Sequence, residues 1–472
     1  MTDNLENQET DKSTSGKPLV VPKDLRYNCS GCGKCCGGWS IGLTEADWQK
    51  VKDVDWNSLH PDLEGLDLFV HREEAYKEGN SPYPHFTNPK PNGRCPFVVD
   101  NLCFIHSKLG AEAKPGTCQI FPYSFIETPT AIYAGVAYSS WAATMNEGDL
   151  LTDQVEMLEE HWQRTIHHLK EKAKGIELPN PGGGGEGANP FDIVTLTGDT
   201  TVPWKEYLFL DEKLQEHFRN AMNDKRYFLQ TVLEGEEIVL EAVRLAKEGE
   251  SLSQLTAFEP SIDIKAQGGE AGINESIIAM VYYLQLSFPA IRQHYPSLWF
   301  PAKKSFDAKH LSTVLKRFNY LFKSGVSAIL FKKPDLPGIG THDLKKALHH
   351  KTEMFTPEMS QLFNRWIYMK IFAKTYFGPV AANYSVLCGY NSLVAKFLCA
   401  VLYTKSLAME KEKSAIELND LHEAFVRLER AFFTVDQLLP QVGAALSFAY
   451  SIPKLCRPMV VSLHKSLVSK QD

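Results

Sequence analysis

Apolar positions along this chain change period once. From Leu150 through Lys174, the residues Val155, Leu158, Trp162, Ile166 and Leu169 recur at spacings of three and four, which predicts a helix with one buried face. Beyond Pro203 almost every stretch keeps that period, and helices are predicted near 203–220, 224–248, 273–296, 308–331, 357–377, 380–406, 417–438 and 454–468. The clearest is TPEMSQLFNRWIYMKIFAKTYFGP, where Thr356 caps the start, Pro357 takes the first helical position and Gly378-Pro379 ends the run. Its stripe of Met359, Leu362, Phe363, Trp366, Met369, Ala373, Tyr376 and Phe377 predicts a single buried face.

Ahead of Leu150 the pattern is shorter and more mixed. QIFPYSFIE and AIYAGVAYSSW flank the turn TPT and predict a β-hairpin. TEADWQKV places Thr44 three residues before Asp47, the spacing of a capped short helix, and SPYPHFTNPKPNGRC is Pro- and Gly-rich and predicts a loop. The fold class is therefore mainly α: a small cysteine-rich α+β N-terminal domain with a β-hairpin, followed by a larger all-helical domain. The expected divisions are a disordered tail over 1–23, a cysteine-cluster domain over 24–150, a connecting helix and Gly-rich linker over 151–202, and a helical domain over 203–472. Gly182, Gly184 and Gly187 satisfy G-x-G-x-x-G, but Asn189-Pro190 follows where a helix should open, so PNPGGGGEGANP predicts a linker.

Composition narrows the function classes. A net charge of −7 and the lack of any stretch interleaving Arg or Lys with aromatics argue against nucleic acid as a partner. The polar start MTDNLENQETDKSTSGKP has no apolar core of a secretory signal, so a cytoplasmic location and reduced thiols are expected. The apolar run at 380–403 is interrupted by Asn383, Tyr390, Asn391 and Lys396, which predicts a buried helix and no membrane partner.

The chemistry lies in the cysteines. Seven of the ten fall in the first quarter: Cys29, Cys32, Cys35 and Cys36 form C-x2-C-x2-C-C, and NGRCPFVVDNLCFIHSKLGAEAKPGTC supplies Cys95, Cys103 and Cys118. Thiolates at two-residue spacing on a Gly-rich turn can face one ion or cluster, which suits zinc or iron–sulfur chemistry. Adjacent side chains tend to diverge, so Cys35 and Cys36 are expected to serve different sites. Seven thiolates then need one more ligand to complete two four-coordinate sites, and His106 in C-F-I-H is the candidate. The competing arrangement is a single [4Fe–4S] cluster that begins with Cys29, Cys32 and Cys35. His85 is held as a reserve ligand. His161, His167, His168, His342, His349 and His350 are expected on solvated faces, and Cys388, Cys399 and Cys456 in the helical core. No H-E-x-x-H, G-x-S-x-G, P-loop or C-x3-C-x2-C is present.

Cys29-x2-Cys32-x2-Cys35-Cys36, NGRCPF, NLCFIH and PGTCQIFPY together resemble the bacterial CxxCxxCC cysteine-cluster family of zinc- or iron-chelating domains, over about residues 27–125. Lys114 and Gln119 stand where that pattern usually has arginines. Longer members with a helical extension include the flagellin lysine-N-methylases, and this chain is similar to them in layout, with Ser139 and Ser140 where such members often carry a further cysteine. The resemblance implies a metal-binding protein using zinc or an iron–sulfur cluster. For the long form it implies a protein lysine N-methyltransferase with S-adenosylmethionine as cofactor and a protein as substrate. It carries over no catalytic base. The alternative is a non-catalytic, metal-stapled interaction module or a metal-handling protein. A cleft between the cysteine domain and the helices is expected to receive a partner or substrate, and its absence would favour the interaction module.

Overall fold

The computed structural model describes residues 16–172, 189–267, 343–432 and 450–468, apart from positions 38–39, 79–80, 92, 342, 351, 354, 382, 411–412 and 414, and scattered positions between 323 and 341. The helices predicted at 273–296 and most of 308–331, and the glycines of the expected linker, lie outside the described residues.

The N-terminal region is assembled from short pieces. A three-stranded antiparallel sheet orders β2 (Gly42–Leu43), β4 (His85–Thr87) and β3 (Phe69–His71), and β5 (Val98–Val99) pairs with β6 (Leu102–Cys103). Around them lie α1 (Glu45–Val51), α2 (Trp56–Leu59), α3 (Glu73–Lys77), α4 (Phe104–Leu109) and α5 (Gly116–Ile120). The Thr44/Asp47 capping box predicted from sequence opens α1, each residue's side chain accepting from the other's backbone N–H. Leu43, Val51, Trp56, Leu63, Leu68, Phe97, Val99, Phe104 and Ile105 fill one small core, with Cys95 and Cys103 packed on its edge.

The predicted hairpin is β7 (Tyr123–Glu127) with β8 (Ile132–Val136), joined in parallel by β1 (Leu19–Val20). Leu19–Val20 thus form a strand inside the span expected as a tail, 1–23. A helical turn, α6 (Trp141–Met145), follows, and then α7 (Val155–Lys172), the connecting helix. Phe125, Ile132 and Ala134 meet Leu158 and Trp162 of α7, while Ile126 and Val136 enter the helical core. The segment that carries the cysteines is also pinned where it begins and ends. Tyr27 N–H donates to the Asp149 carbonyl at 3.1 Å, Asn28 N–H to Glu147 at 3.0 Å, and Leu151 N–H to Leu25 at 2.9 Å.

At the end of the span expected to be linker, Ile193–Thr197 (β9) and Thr200–Pro203 (β10) form a second hairpin, with I-V-T-L-T alternating ahead of the turn at Gly198-Asp199. The helical region then runs α8 (Trp204–Asn223), α9 (Phe228–Glu248), α10 (Leu344–His349), α11 (Pro357–Phe372), α12 (Val386–Glu410), α13 (Leu418–Phe432) and α14 (Arg457–Ser466). One expectation is corrected here. Instead of one buried face, α11 is buried from Leu362 through Phe372, including Asn364, Arg365 and Lys370. Its polar groups find partners on other elements: Arg365 donates to Tyr138 Oη and the Thr144 carbonyl, Lys370 pairs with Glu429, and Trp366 Nε1 donates to Glu429 at 3.0 Å. Within Val386–Met409, α12 is apolar and long enough to cross a membrane, but 94% of its most apolar window is buried inside the protein, as in a core helix.

The hairpin and helices are clasped at close range. Val136 N–H donates to Met369 Sδ at 3.2 Å, and a Cβ at Gly135 would lie 2.7 Å from Ala373 Cβ. Just beyond, fully buried Lys374 places Nζ 2.9 Å from Asp211 on α8 and 3.9 Å from the centre of the Tyr133 ring on β8.

Candidate metal centre

The two cysteine groups meet through the backbone. Cys95 N–H donates to the Cys36 carbonyl at 3.2 Å, and Gly37 bridges Arg94. The loop reaches this position because Gly33 sits at φ +64°, and a Cβ there would lie 2.8 Å from Arg94 Nη2 and 3.0 Å from the Asn101 carbonyl. Cys95 precedes β5, Cys103 ends β6, and Cys118 comes in on α5. The tether on α5 is Asp47, which is 5% exposed and accepts from Gly116 N–H at 3.1 Å.

Electrostatics sorts six of the seven thiols into two neighbourhoods that meet at Cys35. Cys36 holds its proton well above the ordinary thiol range because it is hydrogen-bonded to Cys35, is buried, and lies near Cys35, Cys118 and Cys95. Burial pushes Cys95 up to about 11, with Cys103 adding to the shift, and burial also raises Cys118, with Cys95 and Cys103 contributing. Cys36, Cys95, Cys103 and Cys118 therefore share one neighbourhood. Cys29 and Cys35 act on a different one, at Tyr27, whose phenol is raised by burial first and by these cysteines next. Tyr123 likewise feels burial and then Cys29. The adjacent thiols Cys35 and Cys36 touch each other, contrary to the expected divergence, yet their wider surroundings differ.

Cys29 is exposed, whereas Cys32, Cys35, Cys36, Cys95, Cys103 and Cys118 are half-buried. All ten cysteines are described, and none forms a disulfide. Among the described residues no three of the seven sulfurs lie mutually within 4.8 Å, so they form a neighbourhood rather than a closed shell. The donor set fits a thiophilic cation: closely spaced thiols that repel each other's ionisation are the groups a metal deprotonates and holds.

The histidines distribute differently from the sequence expectation. His106 is exposed on α4, and no hydrogen bond or ion pair of its ring is found among the described residues. His85 lies in strand β4 rather than a loop, is 1% exposed, and faces His71 instead of the cysteines. His161 packs on the Tyr123 ring with its Nδ1 buried, and His168 Nε2 lies 3.1 Å from Tyr83 Oη, so neither is solvated as expected. His167 is exposed, and His350 carries a buried, unpartnered Nε2. Gln119, where the resemblance leads one to expect arginine, accepts from Arg164 of α7 at 2.9 Å, so α7 delivers a positive charge to that place. Cys388, Cys399 and Cys456 are buried in the helical core as predicted.

At the junction with the helices, Lys34 Nζ sits 3.3 Å from the centre of the Trp141 ring, which packs on His422 of α13. A cavity of about 190 Å³ lies between α8 and α9, lined by Lys213, Glu216, His217, Arg226 and Glu234.

Residues 28–142 match the model of the CxxCxxCC family, described as a "putative zinc- or iron-chelating domain". An uncharacterized protein of Methanocaldococcus jannaschii is 34% identical over 107 residues, which are 22% of this chain and 32% of that protein. The chain thus spans about a third of the length of the curated relative it matches, 32%. No solved structure matches.

Proposed function

We propose that this chain is a metal-binding protein that holds zinc or iron through Cys36, Cys95, Cys103 and Cys118, with Cys29, Cys32 and Cys35 as a second thiolate group. The observation that carries this reading is the joining of the C-x2-C-x2-C-C loop to the second cysteine group through the Cys95–Cys36 hydrogen bond, inside the segment that matches a chelating domain. Zinc in a four-thiolate set acts as a staple for a region whose strands are only two to five residues long. Iron in a cluster would add redox or ligand-binding chemistry.

The test is metal analysis and absorbance of anaerobically purified full-length protein, with Cys36→Ser and Cys118→Ser compared with the core variant Cys399→Ser. Metal lost from the first two and kept in the third is the expected result. Equal metal in all three overturns the proposal.

The finer reading is an S-adenosylmethionine-dependent protein lysine N-methyltransferase, supported by the layout of a cysteine segment packed on a long helical region. The Lys34–Trp141–His422 contact supports the non-catalytic rival equally, since it joins the cluster loop to the helical region. Isothermal titration with S-adenosylmethionine separates them: no binding by either the metal-loaded or the chelated protein dismisses methyl transfer. Binding that requires the metal retains it.

A further inference from the structure

We propose that His71, Glu73 and His85 form a second metal site, of nitrogen and oxygen donors, that takes a divalent transition-metal ion of the zinc class independently of the cysteines. His71 and His85 are register partners on the antiparallel strands β3 and β4, so both imidazoles stand on one face of the sheet. Their Nδ1 atoms are 2.9 Å apart, the Glu73 carboxylate lies 3.9 Å from His85 Nδ1, and one donor atom from each residue falls within 4.8 Å of the others.

The surroundings of His85 carry a second, independent sign. Its Nε2 lies 3.4 Å from Glu45 Oε2, and Glu45 in turn accepts from Gln49 at 2.7 Å. A carboxylate behind the distal imidazole nitrogen is the usual support of a ligating histidine. It accepts the Nε2 proton and leaves the Nδ1 lone pair pointing at the site. Two facing Nδ1 atoms share a single proton as a hydrogen bond or both donate to a cation, and with Glu73 beside them the cation satisfies all three donors.

The Trp48 ring packs on both imidazoles, with centroid separations of 5.0 Å to His71 and 4.7 Å to His85, and walls one side. On the other side His71 and Glu73 are exposed, so an ion can enter from solvent. Two histidines and one carboxylate leave a coordination position open, the pattern of sites that bind water or substrate rather than of closed structural sites. None of its donors is a thiolate, so its metal preference differs from that of the cysteines.

The test uses full-length protein and Co²⁺ as probe, because thiolate-to-cobalt charge transfer marks the cysteine sites and nitrogen–oxygen coordination lacks it. His71→Asn and Glu73→Gln, both at exposed positions, are expected to lower bound cobalt by about one equivalent with the charge-transfer intensity unchanged. Glu45→Gln should weaken the same equivalent by roughly 10- to 100-fold. Circular dichroism verifies the fold of each variant. Unchanged stoichiometry and affinity in all three overturn the proposal, leaving a hydrogen-bonded histidine pair. A joint loss of stoichiometry and charge transfer also overturns it, by assigning the histidines to the cysteine centre. Failure of the cysteine proposal looks different, since it removes the charge transfer while the nitrogen–oxygen equivalent remains.

Discussion

Replacing Asp47 by alanine probes whether the second cysteine group is held in place from outside. Its Oδ2 accepts from Thr44 N–H at 3.2 Å and from Gly116 N–H at 3.1 Å, joining the start of α1 to the start of α5, two residues before Cys118. Alanine keeps the reciprocal Asp47 N–H to Thr44 Oγ1 bond, because that donor is backbone. It strands two N–H groups, one buried and one half-buried, at about 1–3 kcal/mol each. Water reaches the half-buried Gly116 more readily, so a loss of roughly 2–4 kcal/mol is expected. The 3.9 Å contact with half-exposed Lys50 adds little. Release of α5 should also weaken metal binding by roughly 10- to 100-fold, the usual effect of removing an outer support. Urea denaturation followed by tryptophan fluorescence gives the first quantity, and competition with a chromophoric chelator gives the second. Asp47→Asn, which keeps one acceptor oxygen, should fall between wild type and alanine. A midpoint and a metal affinity both indistinguishable from wild type for Asp47→Ala would show that Cys118 is positioned by other contacts.

Three further outcomes are expected. Lys374→Met should destabilise by about 3–5 kcal/mol by leaving the Asp211 carboxylate buried without its cation, and adding Asp211→Leu should recover much of that in chemical denaturation. Gly135→Ala should destabilise by about 1–3 kcal/mol, because its Cβ would press on Ala373 and Ser124 where hairpin and helix meet, and a wild-type denaturation midpoint would contradict that close fit. His422 is lowered to about 4 by burial and by Arg365 and Lys34, so between pH 6.5 and 4 the unfolded chain binds a proton that the folded chain does not. Its contribution is complete above pH 6.5 and is lost on acidification to pH 4, by up to about 3 kcal/mol. His422→Phe should flatten that part of the stability–pH curve.

Period and capping revealed the helices well, because α7, α8, α9, α11 and α12 carry long apolar repeats with clear ends. The cysteine groups were equally plain, since their spacing alone marks them as candidate ligands. What stayed hidden depends on partners distant in sequence. The burial of Arg365 and Lys370 rests on Thr144, Tyr138 and Glu429, which no local pattern connects to α11. His85 looked like part of a Pro-rich loop because its strand is only three residues long and is defined by pairing with His71. The sole local signal for that site was the H-x-E of His71 and Glu73, which is short and common. How the cysteines divide was likewise beyond spacing, since it depends on where the Gly33 turn delivers Cys36.

The clamp formed by Leu25, Tyr27 and Asn28 with Glu147, Asp149 and Leu151 makes the cysteine segment an excursion that leaves and rejoins the body of the protein at one gate. Because the two posts of that gate are tied to each other, a change of length within the excursion is not passed along the backbone to α7. Tension along the chain is short-circuited at the gate. An ion gained or lost is felt sideways instead, through Lys34 on Trp141, Gln119 on Arg164 of α7, Tyr138 on Arg365 and the flank of the hairpin against Met369.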